Sequence, residues 1–178
     1  MPTDSSSASP SPSAKQFEIS RTFDAPRDLV FRAFAEAERL AQWWGPKGFE
    51  IEVKKLEFRP GGIFHYRMVG RDGNDMWGRF IYREIVAPER IVWVNSFSDP
   101  EGGLTRAPFA ETFPAEILNV MTLTEQDGKT TLSLRGGPIG ATAEEQQFFE
   151  GMFASMRQGF GGTWDQLEAY LAQVQRRG

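Results

Sequence analysis

The chain of 178 residues has no cysteine and a single histidine, His65. Without thiols it can form neither a disulfide nor a thiolate metal site, and it has no cysteine nucleophile. One histidine cannot build a histidine-rich metal centre, and strand alternation places His65 facing solvent beside Arg67. Asp72, Asp75 and Glu101 fall in loops at no metal-ligand spacing, so no metal, no catalytic residue set and no cofactor are expected. Long apolar runs are also missing: nothing approaches the ~20 residues of a membrane-spanning helix. Charge of one sign is scarce, with a formal net charge of −4, which argues against nucleic acid or an anionic membrane as the main partner. Met1 to Ala14 lack the basic start and apolar core of a secretory signal. Rich in Ser, Pro and Ala, this stretch has little to bury against the entropy of ordering. Residues 1–15 are therefore expected to form a disordered tail and residues 16–176 a single domain. A cytoplasmic location follows from the same composition.

What the chain has in quantity is aromatic side chains, with 15 Phe and 5 Trp. That load exceeds what a small core needs and leaves some over to line a cavity. Phe17 to Phe23 alternate as a strand. Pro26 opens a helical region in which Val30, Phe31, Phe34, Ala37 and Leu40 recur, and Gly45-Pro46 stops it. Phe49 to Phe58 and Ile63 to Val69 read as a hairpin around Arg59-Pro60-Gly61-Gly62. Met76 to Val86 and Ile91 to Phe97 follow, joined at Ala87-Pro88-Glu89-Arg90. Glu116 to Thr124 and Lys129 to Leu134 form a last hairpin around Gln126-Asp127-Gly128. Residues 98–115 have no period; a loop of that length is either a lid or a surface excursion.

The last third carries the widest apolar stripe. Phe149, Met152, Phe153, Met156, Phe160, Trp164, Leu167, Leu171 and Val174 recur at helical spacing, with Thr142 as the cap. Unbroken from Ala143 to Val174, this helix would be about 45–50 Å long, enough to cross the sheet. Gly151, Gly159, Gly161 and Gly162 interrupt it, and indicate either a bend around a pocket or a break between two shorter helices.

Four motifs in order resemble one family. They are Trp43-Trp44-Gly45-Pro46, then Arg59-Pro60-Gly61-Gly62 before Phe64-x-Tyr66-x-Met68. Next come Gly78-x-Phe80-x-Tyr82-x-Glu84-Ile85 with Pro88-Glu89-Arg90-Ile91-Val92, and finally Gly159-Phe160-x-Gly162-Thr163-Trp164-Asp165-Gln166-Leu167. The chain, from about Phe17 to Val174, is similar to the activator of heat-shock protein ATPase homologue-like family, within the START-like (SRPBCC) superfamily. That resemblance implies an α+β helix-grip fold. A curved six-stranded antiparallel sheet would wrap on a long C-terminal helix, with two short helices after the first strand and a cavity between sheet and helix. The superfamily holds lipid carriers, hormone receptors and aromatic-polyketide cyclases, so the name does not carry one function across.

Alternation then assigns the cavity lining. Phe64, Tyr66 and Met68 share one face of their strand, Phe80, Tyr82 and Glu84 one face of the next, and Trp93, Asn95 and Phe97 one face of the third. The helix adds Phe153, Met156, Phe160 and Trp164, and the tryptophan pair adds Trp43 and Trp44. The expected partner is a small hydrophobic or aromatic molecule, recognised by shape, Tyr66, Tyr82 and Asn95. One alternative is a cofactor-independent cyclase, isomerase or hydrolase with a buried Glu84 as its acid-base residue. It requires Glu84 inside the pocket. Another is a module that docks on a chaperone, which requires a large exposed apolar patch. A homodimer is left open by the resemblance.

Overall fold

The computed structural model describes residues 15–45 and 47–177. The expected disordered tail, bar Lys15, and Pro46 of the tryptophan motif lie outside the described residues. Strand β1 (Phe17–Phe23) is followed by two short helices, α1 (Arg27–Ala35) and α2 (Ala37–Trp43). Glu36 separates them in an extended conformation. Strands β2 (Phe49–Leu56), β3 (Ile63–Gly70), β4 (Asp75–Val86) and β5 (Arg90–Ser98) come next, then a two-residue β6 (Leu104–Thr105). Strands β7 (Ile117–Gln126) and β8 (Lys129–Pro138) precede helices α3 (Ala143–Gly151) and α4 (Phe153–Arg177).

All strands join one antiparallel sheet in the order β1-β8-β7-β5-β4-β3-β2, with β6 paired to β5. Successive hairpins lay the strands side by side, and the first strand returns to pair with the last, Phe17 opposite Gly136 and Phe23 opposite Thr130. Among the described residues the sheet therefore has eight strands rather than the six expected. β1 is a full member of it, and β6 is a short pairing inside the aperiodic 98–115 stretch. The β7–β8 turn places Asp127 at φ 56° and Gly128 at φ 77°, the left-handed pair that closes a two-residue hairpin with the twist of its strands. Bulges between Val53 and Lys55 and between Tyr82 and Glu84 bend their strands and sharpen the twist.

The C-terminal stripe is two helices. The break falls at Met152, directly after Gly151, whereas α4 runs unbroken through Gly159, Gly161 and Gly162 over 25 residues, about 37 Å. The three later glycines thus do not break the helix. Gly162 lies against the aliphatic stem of Lys47, and the Gly159 carbonyl accepts a hydrogen bond from Thr163 Oγ1 at 3.2 Å. Thr142 begins α3 with a complete capping box: Glu145 N–H donates to Thr142 Oγ1 at 3.0 Å and Thr142 N–H donates to Glu145 Oε1 at 3.1 Å. Thr142→Ala is expected to cost about 1 kcal/mol, read as a lower urea midpoint, while Thr142→Ser keeps the wild-type value.

The helices cover one face of the sheet. The main core gathers Phe23, Val30, Phe34, Leu40, Trp43, Phe64, Phe80, Trp164 and Leu167 among others. A second cluster around Phe17, Ile117 and Phe149 lies under α3 and is flanked by Phe113, Phe153, Met156 and Phe160. Between these two clusters the packing is incomplete, and that is where the site forms.

Candidate functional site

The gap is a cavity of about 330 Å³ bounded by four pieces of chain. The inner face of the sheet supplies Tyr66 and Met68 from β3, Met76 from β4, Trp93, Asn95 and Phe97 from β5, and Ile117 and Asn119 from β7. Helix α4 supplies Met156, Gly159, Phe160 and Thr163, the α3–α4 junction supplies Met152, and the segment after α2 supplies Trp44 and Gly45. The 98–115 loop closes the remaining side with Phe109 and Phe113, whose rings lie 5.7 Å apart. Phe109 is 56% exposed and marks the mouth.

Local chemistry explains why these residues converge. Trp44 leaves α2 in an extended conformation and Gly45 turns at φ 97°, a region that favours glycine. The Gly45 carbonyl accepts from Thr163 Oγ1 at 3.0 Å and from Gln166 Nε2 at 2.8 Å, so α4 holds the tryptophan segment in place. Trp44 then sets its ring edge-on to Phe80 and Tyr66, at 5.2 and 6.2 Å, a favoured aromatic geometry. Tyr66 folds over Gly78, where a Cβ would sit 2.6 Å from its hydroxyl. Only glycine leaves room for that ring. Burial pushes the Tyr66 phenol up to about 12, so it stays protonated and can donate at ordinary pH. Burial, and then the nearby Tyr66, raise Tyr82 in the same direction.

The aromatic loop is tied to the start of α3. Arg106 Nη1 reaches Glu145 Oε2 at 2.6 Å and the carbonyls of Glu111 and Phe113 at 3.2 Å. The Thr142 backbone, and after it Arg106, hold the Glu145 carboxyl below its usual range.

Of the residues expected to line a pocket, Trp44, Tyr66, Met68, Trp93, Asn95, Phe97, Met156 and Phe160 border this cavity. Trp43, Phe64, Phe80, Tyr82 and Trp164 do not: they are buried in the main core behind it. Phe153 packs beside Phe17 and Phe149 in the second cluster. Glu84 is the clear correction. Tyr82 pairs with Trp93 but Glu84 pairs with Val92, so the intervening bulge turns Glu84 to the outer face. There its half-exposed carboxylate accepts from Arg90 Nε at 3.0 Å.

His65 is a second correction. It does lie on the outer face with Arg67, but it is buried, because the chain after β5 folds back over it. Its Nε2 sits 3.2 Å from the Asp99 carbonyl and its ring stacks on Trp77 at 5.3 Å. Among the described residues no group of three or more potential metal ligands assembles.

Sequence reasoning missed Met76, Met152 and Thr163, Asn119 and Ile117, and the loop residues Phe109 and Phe113. Asn119 carried a usable signal, as the one polar member of the inward stripe Ile117, Asn119, Met121, Leu123. The loop carried no comparable signal, since it has no period to assign a face.

A larger depression of about 640 Å³ runs along the β1–β8 edge. Its walls are Glu18, Ser20, Ser133, Arg135 and Arg157 with Ile19 and Leu134. Solvated polar side chains of this kind provide little apolar surface to desolvate a ligand, so the smaller, aromatic cavity is the candidate site.

Over residues 24–172 the sequence matches the family described as Activator of Hsp90 ATPase homolog 1-like protein. The chain belongs to this family. Solved structures agree with the fold. A protein from Arthrobacter aurescens is 25% identical, with 94% of this chain and 91% of that one covered at a TM-score of 0.75. Protein Ms6760 from Mycobacterium smegmatis is 24% identical over 89% of this chain and 92% of its own, at 0.70. The AHSA1 protein from Silicibacter pomeroyi is 18% identical over 90% and 99%, at 0.68. No curated protein matches the chain. Among the described residues, no helix of this family member is long and apolar enough to cross a membrane.

Proposed function

We propose that this family member binds a small apolar or aromatic molecule in the cavity between its sheet and its C-terminal helices. The observation that carries the reading is the lining itself. Aromatic and Met side chains from the sheet, the helices, the Trp44 segment and the 98–115 loop surround about 330 Å³. That volume lies at the lower end of the ~300–1,000 Å³ typical of small-molecule sites.

The acid-base alternative loses its support with Glu84 on the outer face. Among the described residues no Asp, Glu, His, Lys or Arg lines the cavity, so they bring to it no group that exchanges protons near neutral pH. Docking on a chaperone rests on the family name. The large apolar side chains most exposed among the described residues, Val86, Leu104 and Phe109, do not form the broad patch it requires.

Native mass spectrometry of the purified protein, set against its denatured mass, tests the proposal. The expected result is an excess mass lost on denaturation, identified as an apolar or aromatic compound. A clean apo mass, with no adduct after incubation with a panel of one- and two-ring aromatics, would overturn it.

A further inference from the structure

The cavity wall is apolar but not uniformly so, and its polar groups narrow the class of ligand. Four lining side chains carry a polar atom of consequence, Tyr66, Asn95, Asn119 and Thr163, in addition to the Trp44 and Trp93 indoles. Thr163 is already engaged, its hydroxyl shared between the Gly45 and Gly159 carbonyls. The Trp93 Nε1 is sealed from solvent without a partner, while its ring stacks on Phe80 at 4.7 Å.

The two asparagines are different. Asn119 is only 9% exposed, yet among the described residues no side-chain hydrogen bond reaches it or Asn95. Neither carboxamide is sealed, in contrast to the Trp93 indole, and both border the cavity. Their positions are coupled through the sheet. Asn95 stands opposite Ile117 and Trp93 opposite Asn119, so the two residues are diagonal neighbours on one face, their Cα atoms about 7–8 Å apart. Gly136, opposite Asn119 on β8, makes room for its amide oxygen, since a Cβ there would meet Oδ1 at 2.5 Å.

Both amides open to the cavity, and a ligand that sealed either one without giving it a partner would cost about 1–3 kcal/mol. Two on one wall of an apolar cavity therefore mark where a ligand's polar atom belongs. Each can donate and accept, so the pair suits a hydroxyl or a carbonyl. Among the described residues the wall carries no charge of either sign to compensate an ion, and an unpaired charge is costly to desolvate there. Size adds a third limit. A dry cavity of roughly 150 Å³ accepts benzene in another protein, and about twice that volume is present here.

From this we infer that the ligand is an uncharged, roughly two-ring aromatic compound bearing a hydroxyl or carbonyl group, which Asn95 and Asn119 read while Trp44, Phe97 and Phe160 enclose its rings. The inference rests on the cavity being a binding site, as proposed above.

Equilibrium dialysis with three probes of one ring system separates the two ideas: naphthalene, 1-naphthol and 1-naphthoate. The expected order is 1-naphthol tighter than naphthalene by about tenfold, the worth of one hydrogen bond near 1.4 kcal/mol, with 1-naphthoate weakest. In the Asn95→Leu/Asn119→Leu variant the naphthol advantage disappears while naphthalene binding stays. In the unmodified protein, 1-naphthol also shifts the side-chain amide resonances of both asparagines, a readout that does not depend on the variant folding. Equal binding of naphthalene and 1-naphthol, or unmoved amide resonances, overturns the assignment and leaves the cavity reading standing. Tightest binding of 1-naphthoate overturns the uncharged class. Binding of none of the three defeats the cavity reading and this assignment with it.

Discussion

Trp164→Ala is expected to remove about 3–5 kcal/mol of stability, a large share of the roughly 5–15 kcal/mol typical of a domain. Trp164 is 1% exposed and sits where three parts of the chain meet. Its ring lies 6.5 Å from Phe23 of β1, 6.4 Å from Trp43 of α2 and 5.5 Å from Phe160 of its own helix. Trp43 is held out of the space by its own Nε1 hydrogen bond to the Ala33 carbonyl at 3.1 Å. The cost is therefore a lost transfer term plus a cavity. For a chain of this size each kcal/mol lowers Tm by about 2–4 °C, so a calorimetric scan should show a drop of roughly 6–20 °C. A drop below about 3 °C would mean that α4 does not anchor the fold through this ring. Because Phe160 lines the cavity, loss of Trp164 should also loosen the proposed site.

The second large effect is alkaline destabilisation. Tyr66 has a folded pKa near 12 against an ordinary 10.0. Its native environment therefore favours the protonated phenol. That contribution is complete below pH 10 and is lost as pH rises from about 10 to 12, because the unfolded chain ionises first. At about 1.4 kcal/mol per pKa unit, Tyr66 alone gives up roughly 3 kcal/mol across this window. Tyr82 is shifted the same way by its burial and adds to the loss. Urea midpoints measured at about pH 8 and about pH 11 should fall steeply for the wild type. The fall should be much smaller in Tyr66→Phe/Tyr82→Phe, which removes both ionisable hydroxyls and keeps the rings. An equal fall in both proteins would show that these phenols are not the groups that resist ionisation.

Much of the fold was legible because it rests on short-range pattern. The strands of the sheet alternate with period 2, the β7–β8 turn has Asp-Gly at its centre, and Thr142 stands where a helix cap belongs. The family motifs added the wrapping of sheet on helix. The lining was legible only in part. Alternation says which face a side chain takes, not how deep in the core it lies, so Tyr66 reached the cavity while Phe64 and Phe80, on the same faces, became its backing.

Glu84 shows where alternation itself breaks. Its argument assumed an uninterrupted ladder from Phe80 onward, and a single bulge after Tyr82 reversed the face of everything that followed. His65 shows a different gap: its face was read correctly, but burial depended on the chain near Asp99 folding over the sheet, a contact 34 residues away in sequence.

The sequence by itself determined the class of fold, the run of hairpins, the capped start of α3 and the aromatic surplus. Each follows from local periodicity, turn chemistry or composition, which need no distant partner. Only the tertiary structure decided that the C-terminal stripe breaks at Met152 and not at its glycine cluster, that Glu84 faces out, and that Asn95 and Asn119 share one wall of a cavity closed by Phe109 and Phe113. Those outcomes depend on which strand pairs with which, where a bulge falls, and how a loop without period folds back. They are contacts between residues far apart in the chain, and no local pattern encodes them.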